Sequence, residues 1–343
     1  MKKLHIFLIG LTLFSSLEFA SGQSRKAGLN GAAFLKVGVG ARSAGMGSAA
    51  TSLSEDVTNM YWNPAGIALT TDRMQAAFSY NNWIANIKQN AVAVSYNLED
   101  IGTVGVGVMT FGISGIPADR DVYPLNPALQ AQQQDQATSD TYDYLDLVAQ
   151  VSYARYVSEK LSLGATFKFI NEKIDDRNAS TVAVDFGSVY HIGTMGWSLG
   201  ARISNLGGDI KFYDFAHPIP LTFSIGSSMT PLSFDNHSFM IAVDAVKPQD
   251  GQQYYFTGVE YNFDQIFFLR AGWKYNYSNF GLAGNGSDEG TSLRAPIQTS
   301  LEKGSVGAGV LIKGEYTMSL DYAYTIFQIL DSVHRLSLRF SMK

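Results

Sequence analysis

Apolar and polar residues alternate strictly along most of the chain after residue 74. In residues 161–169 the odd positions carry Leu, Leu, Ala, Phe and Phe, and the even positions carry Ser, Gly, Thr and Lys. Residues 197–204 and 335–342 repeat this alternation. Because successive side chains of a strand point to opposite faces, each segment is predicted to be a strand with one apolar and one polar face.

The length of these segments indicates strands that cross a membrane. They run for about ten residues, as a tilted membrane-spanning strand requires, whereas strands of soluble proteins have about five or six. Tyr and Trp residues cluster near the segment ends, which suits aromatic girdles at the two membrane surfaces. These residues are Tyr144, Tyr153, Tyr190, Trp197, Trp273, Tyr275, Tyr277, Tyr322 and Tyr324. We predict an all-β, antiparallel transmembrane β-barrel; a secreted soluble all-β protein is the alternative.

The alternating segments number fourteen, and single-chain bacterial barrels have an even number of strands. The predicted strands are residues 74–81, 90–98, 102–111, 144–156, 161–172, 180–190, 195–204, 221–229, 237–246, 253–263, 266–277, 304–312, 315–325 and 333–342. The long connections, residues 112–143, 205–220 and 278–303, all follow odd-numbered strands. This parity predicts long loops on the external rim, with both chain ends on the periplasmic side.

The first residues resemble an export signal. Lys2 and Lys3 precede an apolar run over residues 4–14, and small residues at positions 20–22 come just before Gln23. This order of charge, apolar run and small residues predicts a signal peptide over residues 1–22, cleaved before Gln23. The sequence thus predicts export to the outer membrane of a Gram-negative bacterium, with a hatch segment over residues 23–73 and the barrel over residues 74–343.

Composition excludes several classes of site. The chain has no cysteine, which rules out disulfides, thiolate metal sites and a lipidated N-terminal cysteine. The formal net charge is −5, with none of the basic stripe that nucleic-acid binding requires. Four histidines follow the signal, without metal-ligand spacing: His191, His217, His237 and His334. With no recognisable Ser/His/acid set, we predict no catalytic residue, no metal, no cofactor and no enzymatic activity.

The predicted hatch segment is rich in Gly and Ala and does not alternate. It contains the motif Asn63-Pro64-Ala65-Gly66, in which Asn63 is a favourable helix N-cap and Pro64 suits the first helical position. We therefore predict a short helix over residues 64–69. A fourteen-stranded barrel has a lumen too wide for strand side chains to fill. Because small residues allow close packing, the hatch segment is predicted to fold inside the barrel or at its periplasmic mouth.

Charged residues fall on the polar faces of the predicted strands. Facing lipid at the midplane would cost an Arg or Lys side chain about 2–4 kcal/mol, so these residues are predicted to face the lumen. There they either pair with one another and with the hatch segment or line a path for a solute. The predicted lumen-facing charges are Asp185, Arg202, Asp244, Glu260, Arg270, Lys274, Asp321, Arg335 and Arg339.

Residues 32–49, AAFLKVGVGARSAGMGSA, followed by residues 56–68, DVTNMYWNPAGIA, resemble the N-terminal signature of the PorV/PorQ family. That family belongs to the type IX protein secretion system and is similar in fold to the FadL long-chain fatty acid transporters. The resemblance covers residues 31–69 closely. It implies an outer-membrane protein whose partners are the C-terminal domains of secreted cargo and a larger translocon or attachment-complex protein.

The FadL-like fold allows a second function, transport of hydrophobic small molecules across the outer membrane. This alternative predicts an apolar pocket beside the hatch segment and an opening in the barrel wall. One fold hosts many functions, so the fold alone does not choose between the two hypotheses.

Overall fold

The computed structural model describes residues 29–70, 72–118, 141–251, 253–275, 302–327 and 330–343. The predicted signal peptide lies outside these residues. So do most of the two long connections at residues 112–143 and 278–303, and Tyr277 at the end of one predicted strand. No helix in the described ranges is long and apolar enough to span a membrane.

Strands dominate the described part of the chain. They are β1 Met74–Asn82, β2 Lys88–Asn97, β3 Thr103–Pro117, β4 Thr141–Ser158, β5 Leu161–Ile174, β6 Arg177–His191, β7 Ser198–Gly207, β8 Ile210–Lys211, β9 Ala216–His217, β10 Thr222–Phe234, β11 His237–Pro248, β12 Tyr254–Phe263, β13 Phe267–Tyr275, β14 Glu302–Ile312, β15 Tyr316–Phe327 and β16 Val333–Met342.

Fourteen of these strands form one closed antiparallel barrel, as the sequence predicted. Each barrel strand pairs with the next barrel strand in the chain, and β1 pairs with β16 from Met74↔Met342 to Asn82↔His334. Closure leaves no edge in the barrel sheet, so every barrel strand has a hydrogen-bonded neighbour on each side. The remaining two strands, β8 and β9, pair only with each other in a small separate hairpin.

The barrel is apolar outside and polar inside. Along β5, Leu163, Phe167 and Phe169 are exposed, while Thr166 and Lys168 are buried. This burial of polar side chains is the reverse of a soluble sandwich, and it identifies the alternation as that of a transmembrane barrel.

Two connections differ from the sequence prediction. β5 and β6 continue towards each other until Ile174 pairs with Arg177, which leaves a two-residue turn with Asp175 at a positive φ of 56°. Asp tolerates this left-handed conformation better than most residues, so the strands extend beyond their apolar pattern. The predicted loop at 205–220 is also partly structured, because it carries the β8–β9 hairpin.

Residues 29–70, here called the N-terminal segment, pack against the inner faces of the barrel strands. The segment contains one short α-helix, α1 Ala41–Gly45, and 3-10 helices at Ala33–Lys36, Val57–Tyr61 and Pro64–Leu69. The helix predicted over residues 64–69 is therefore present, as a 3-10 helix with Asn63 as its N-cap. Further 3-10 turns at Ile84–Asn86, Glu99–Ile101 and Thr194–Gly196 connect barrel strands.

Glycines on the inner wall allow the backbone of the N-terminal segment to touch the barrel backbone. A Cβ atom added to Gly272 on β13 would lie 1.9 Å from the Gly47 nitrogen. One added to Gly258 on β12 would lie 2.4 Å from the Met46 carbonyl oxygen. Since real Cβ atoms do not approach other atoms so closely, only glycine fits these places.

Replacing Gly272 by Ala should therefore displace the N-terminal segment. Overpacking of this kind costs about 1–3 kcal/mol, so we expect Gly272→Ala to lower the temperature at which the purified barrel unfolds. Heat-dependent mobility on a denaturing gel measures this temperature.

Gly105→Ala is the matched control for Gly272→Ala. The nearest atoms to a Cβ atom there would be the ends of flexible side chains, Ile67 Cδ1 and Met60 Cε at 3.3 Å, and the nearest backbone atom, the Val94 carbonyl oxygen, would be at an ordinary contact distance of 3.6 Å. Equal unfolding temperatures for the two variants would contradict close backbone packing as the constraint at Gly272.

Candidate functional site

The Asn63–Gly66 motif connects the N-terminal segment to one side of the wall. Asn63 is fully buried, and its Nδ2 atom donates hydrogen bonds to the carbonyl oxygens of Thr51 at 2.6 Å and Ser188 at 3.1 Å. Its Oδ1 atom accepts a hydrogen bond from the Ala65 N–H at 3.2 Å. One side chain thus joins two parts of the segment to strand β6 and also caps the helix that follows.

Pro64, Ala65 and Gly66 lie where the chain passes close to other backbone. A Cβ atom on Gly164 of β5 would lie 2.5 Å from the Pro64 carbonyl carbon and from the Ala65 nitrogen. A Cβ atom on Gly66 would lie 2.9 Å from the carbonyl oxygen of Leu53 within the segment. The motif therefore combines a helix start with two small residues at the points of closest approach.

An ionic network holds helix α1 against three strands on the other side of the lumen. Arg42 on α1 donates two hydrogen bonds of 3.0 Å to the Glu260 carboxylate on β12. Arg270 on β13 donates to Glu260 at 2.6 Å and to Asp321 on β15 at 2.6 Å. Three of the predicted lumen-facing charges, Glu260, Arg270 and Asp321, thus form a single buried cluster with Arg42.

Asp244 and Arg339 also bind the N-terminal segment. The Asp244 carboxylate accepts hydrogen bonds from the consecutive backbone N–H groups of Ala50 and Thr51, both at 2.9 Å. A guanidinium nitrogen of Arg339 lies 3.7 Å from an Asp56 carboxylate oxygen. Both charges are therefore paired with groups of the segment.

Asp185 and Arg202 lie on neighbouring strands, β6 and β7. Asp185 pairs with Lys168 at 2.5 Å. Arg202 donates a hydrogen bond to the Trp62 carbonyl oxygen and lies over the Trp62 ring, with 5.6 Å between the guanidinium carbon and the ring centroid. Trp62 comes immediately before the Asn63–Gly66 motif, so Arg202 on β7 holds the chain beside the contact that Asn63 makes with the neighbouring strand β6.

Lys274 and Arg335 complete the predicted set. Lys274 on β13 pairs with Glu302 on β14 at 2.7 Å. The guanidinium carbon of Arg335 lies 5.3 Å from the centroid of the Trp83 ring, in cation–π geometry. Lys168 and Glu302 were not among the charges predicted to face the lumen. Lys168 occupies an inward position of an alternating segment, whereas Glu302 falls in the connection predicted at residues 278–303 and belongs to β14 in the structure.

Electrostatics inside the lumen stabilises two charged groups of the N-terminal segment. Attraction to the Glu260 carboxylate raises the pKa of Arg42 above its ordinary value, against the opposing effect of burial. For Asp56, burial raises the pKa, but Arg339, Arg42 and hydrogen bonds from Thr58 together lower it below the ordinary value. Both groups therefore carry their charge at neutral pH.

The interior contains a cavity of about 80 Å³ between the N-terminal segment and the wall. This space is here called the interior cavity. Aromatic, aliphatic and cationic side chains line it. Residues that define it are Val37, Tyr61, Trp62, Gln150, Arg202 and Phe256.

A second depression lies on the lipid-facing side of β2–β5. This outer groove has a volume of about 430 Å³ and is almost wholly apolar. It is lined by Val92, Val106, Val108, Val151, Phe167 and Phe169, with Gly107 and Gln150 also contributing. A large apolar depression on a membrane protein is suited to hold a hydrophobic molecule from the bilayer.

Gln150 on β4 lines both the interior cavity and the outer groove. Its register partner on β3 is Gly107, which contributes no side chain at this point of the wall. Beside it, the Tyr61 hydroxyl lies 2.8 Å from the carbonyl oxygen of Val92 and 3.1 Å from that of Val108, and its single O–H is shared between these two acceptors. At this point Gln150, Gly107 and the Tyr61 side chain that packs against Gly107 form the wall between the two depressions.

Sequence analysis singled out neither Gln150 nor Tyr61. Gln150 stands on the polar face of an alternating strand, and an uncharged polar residue there gives no signal of its own. Their significance comes from Gly107 on the neighbouring strand, which only the strand register brings beside Gln150.

Comparison with protein-family models and with curated proteins finds no match. Solved structures do share the architecture. The CymD monoaromatic hydrocarbon channel aligns with a TM-score of 0.56 at 14% identity, covering 89% of this chain and 97% of that chain. The chain has a FadL-like barrel fold.

Two further structures support that assignment of fold. The Ralstonia pickettii toluene transporter TbuX aligns with a TM-score of 0.54 at 12% identity, over 89% of this chain and 98% of that one. A Pseudomonas aeruginosa FadL homologue aligns with a TM-score of 0.50 at 11% identity, over 95% of this chain and all (100%) of the homologue. At these identities the likeness concerns the FadL-like fold; the resemblance of residues 31–69 to the PorV/PorQ family stays a prediction from sequence.

Removing the Glu260 charge tests the ionic network. Glu260→Gln leaves Arg42 and Arg270 without their shared carboxylate, and breaking a buried ion pair on one side costs about 3–5 kcal/mol. We expect residues around helix α1 to lose protection in hydrogen exchange measured by mass spectrometry, while β3–β5 keep theirs. Glu315→Gln, in the exposed turn before β15, is the control; equal loss in both variants would contradict the role given to Glu260.

Acidification should weaken the contact made by Asp56. A carboxyl whose pKa is lowered in the folded state stabilises that state above its ordinary pKa, about 3.9, and loses the effect as the pH falls through the lowered value. Asp56→Asn keeps a helix-capping side chain but removes the charge. We expect the unfolding temperatures of the native chain and this variant to differ at pH 7 and to converge below about pH 4; a gap that stays constant with pH would refute this.

Proposed function

We propose that this protein is an outer-membrane channel for small hydrophobic molecules. The observation that carries the proposal is the position of Gln150, which separates an interior cavity from an apolar groove on the lipid-facing wall. A hydrophobic molecule could leave the lumen at this point and enter the bilayer without crossing the polar rim. The molecules named for similar barrels, monoaromatic hydrocarbons and toluene, belong to this class.

The N-terminal segment fits this function as a fixed plug. Its backbone contacts wall glycines, and buried ionic contacts hold it inside the lumen. In this proposal a solute that enters from outside reaches the interior cavity and the wall beside Gln150. A plugged lumen with a lateral apolar groove suits hydrophobic cargo better than hydrophilic cargo.

Filling the outer groove should slow transport. Val106 is 53% exposed on β3 and lines the groove, so Val106→Trp places a large ring there without disturbing the lumen. We expect cells that carry this variant to take up radiolabelled toluene severalfold more slowly than cells with the native chain.

Val306→Trp is the matched control for the uptake assay. Val306 is 49% exposed on β14, outside the set of residues that line the groove. Native uptake with Val306→Trp and reduced uptake with Val106→Trp would support the proposal. If cells with the native chain take up toluene no faster than cells without the protein, the proposal is wrong.

A role in type IX secretion is the second candidate, and the resemblance of residues 31–69 to the PorV/PorQ family favours it. In this role the chain binds cargo C-terminal domains or a larger translocon or attachment-complex protein. A clean deletion of the gene distinguishes the two functions. Cargo stranded in the periplasm with normal toluene uptake would favour secretion, and normal cargo export with reduced uptake would favour the channel.

A further inference from the structure

The charges at the surface of the interior cavity are all of one sign. Four cationic side chains line it, those of Lys36, Lys168, Arg202 and Lys274, and no carboxylate does so. Three of these cations have carboxylate partners, Asp250, Asp185 and Glu302, which stand outside the lining. The cavity therefore presents positive groups to its contents, with the compensating negative charge placed behind them.

Arg202 differs from the three lysines. It donates hydrogen bonds to Ser224 and to the Trp62 carbonyl oxygen, both uncharged acceptors. Within the described ranges no carboxylate forms an ion pair with it, although Asp244 and Asp185 are near enough to attract it. A guanidinium that is only 9% exposed and lines a cavity can bind an anion through its remaining N–H groups.

Two neutral side chains in the lining also lack partners among the described residues. Gln150 is 3% exposed, and neither its amide nitrogen nor its amide oxygen has a hydrogen-bond partner. The Ser204 hydroxyl, in a residue 6% exposed, is equally without one. Because buried polar groups without partners cost free energy, a molecule in the cavity gains by offering them hydrogen bonds.

The rest of the lining is suited to a flat apolar body. Trp62, Tyr254 and Phe256 contribute aromatic rings, and Val37, Val39 and Met109 contribute aliphatic surface. A volume of about 80 Å³ favours a single ring over a long chain. The polar side chains of the lining are thus suited to a charged group of a ligand, and the apolar side chains are suited to the ring of the same ligand.

We propose that the interior cavity binds small organic anions with a ring-sized apolar body and one carboxylate, of which benzoate is the simplest example. The carboxylate binds at Arg202 and the ring packs against Trp62, while Gln150 and Ser204 offer further hydrogen bonds to the contents of the same cavity. This inference rests on the proposed channel function and refines it. The cargo would be anionic aromatic compounds in addition to neutral hydrocarbons.

The test compares benzoate with benzyl alcohol, which has a similar shape and no charge. Both are radiolabelled, and their binding to the full-length protein in lipid nanodiscs is measured by equilibrium dialysis against empty nanodiscs. We expect benzoate to bind at least about tenfold more tightly than benzyl alcohol, a difference of one power of ten in Kd. Equal affinities, or tighter binding of the alcohol, would overturn the proposal.

Gln150→Glu supplies the decisive variant, because it keeps the side-chain shape and adds a negative charge to the cavity. We expect it to weaken benzoate binding at least about tenfold. Gln265→Glu adds the same charge in the exposed turn between β12 and β13 and should bind benzoate like the native chain. If Gln150→Glu does not fold, Ser204→Asp introduces the charge at the second side chain without a partner; benzoate binding unchanged in the folded variant would overturn the proposal.

The toluene assay separates this inference from the proposed function. Toluene uptake without benzoate binding would overturn the anion site and leave the hydrophobic channel intact. Benzoate binding without toluene uptake would support the anion site and count against the channel for neutral hydrocarbons. Failure of both would reject the two proposals together.

Discussion

The membrane imposes the constraint from which the rest of this structure follows. Hydrocarbon offers no hydrogen bonds to unpaired backbone groups, so a sheet that crosses it must close on itself. Here closure is made by the pairing of β1 with β16, and it takes fourteen strands to complete the circle. A ring of that size encloses more space than its own side chains can fill. The lumen therefore needs either water or a plug.

The N-terminal segment occupies this space by two different kinds of contact. On part of the wall, glycines such as Gly272 remove side chains so that the two backbones can touch. On the same strands, buried ion pairs such as Arg42–Glu260 connect the segment to charged wall residues. Dense backbone packing fixes position, whereas buried charges require specific partners because an unpaired charge is costly there. Together they give the segment a single location.

The proposed channel function uses the places where this packing is incomplete. The interior cavity remains between the segment and the wall, and the outer groove faces it across Gln150. In the proposed function the passage of a hydrophobic molecule into the bilayer would thus use the outer groove, and a polar part of the molecule would be recognised in the interior cavity, on the other side of Gln150. The type IX hypothesis, by contrast, concerns contacts made by loops and rims. The channel hypothesis and the type IX hypothesis are both compatible with this barrel, because one fold can carry different functional sites in its lumen and on its outer surfaces.

The sequence by itself determined the fourteen barrel strands, apart from the extension of β5 and β6, and the inward position of nine charged residues, because side-chain alternation is local and repeats every two residues. It also determined the helix after Asn63, whose cap and proline act within a few residues. Only the tertiary structure decided which charges pair, which glycines meet the N-terminal segment, and that Gln150 stands beside Gly107 between two depressions. These contacts join residues far apart in the chain, and their distances depend on barrel closure and strand register, which no local pattern records.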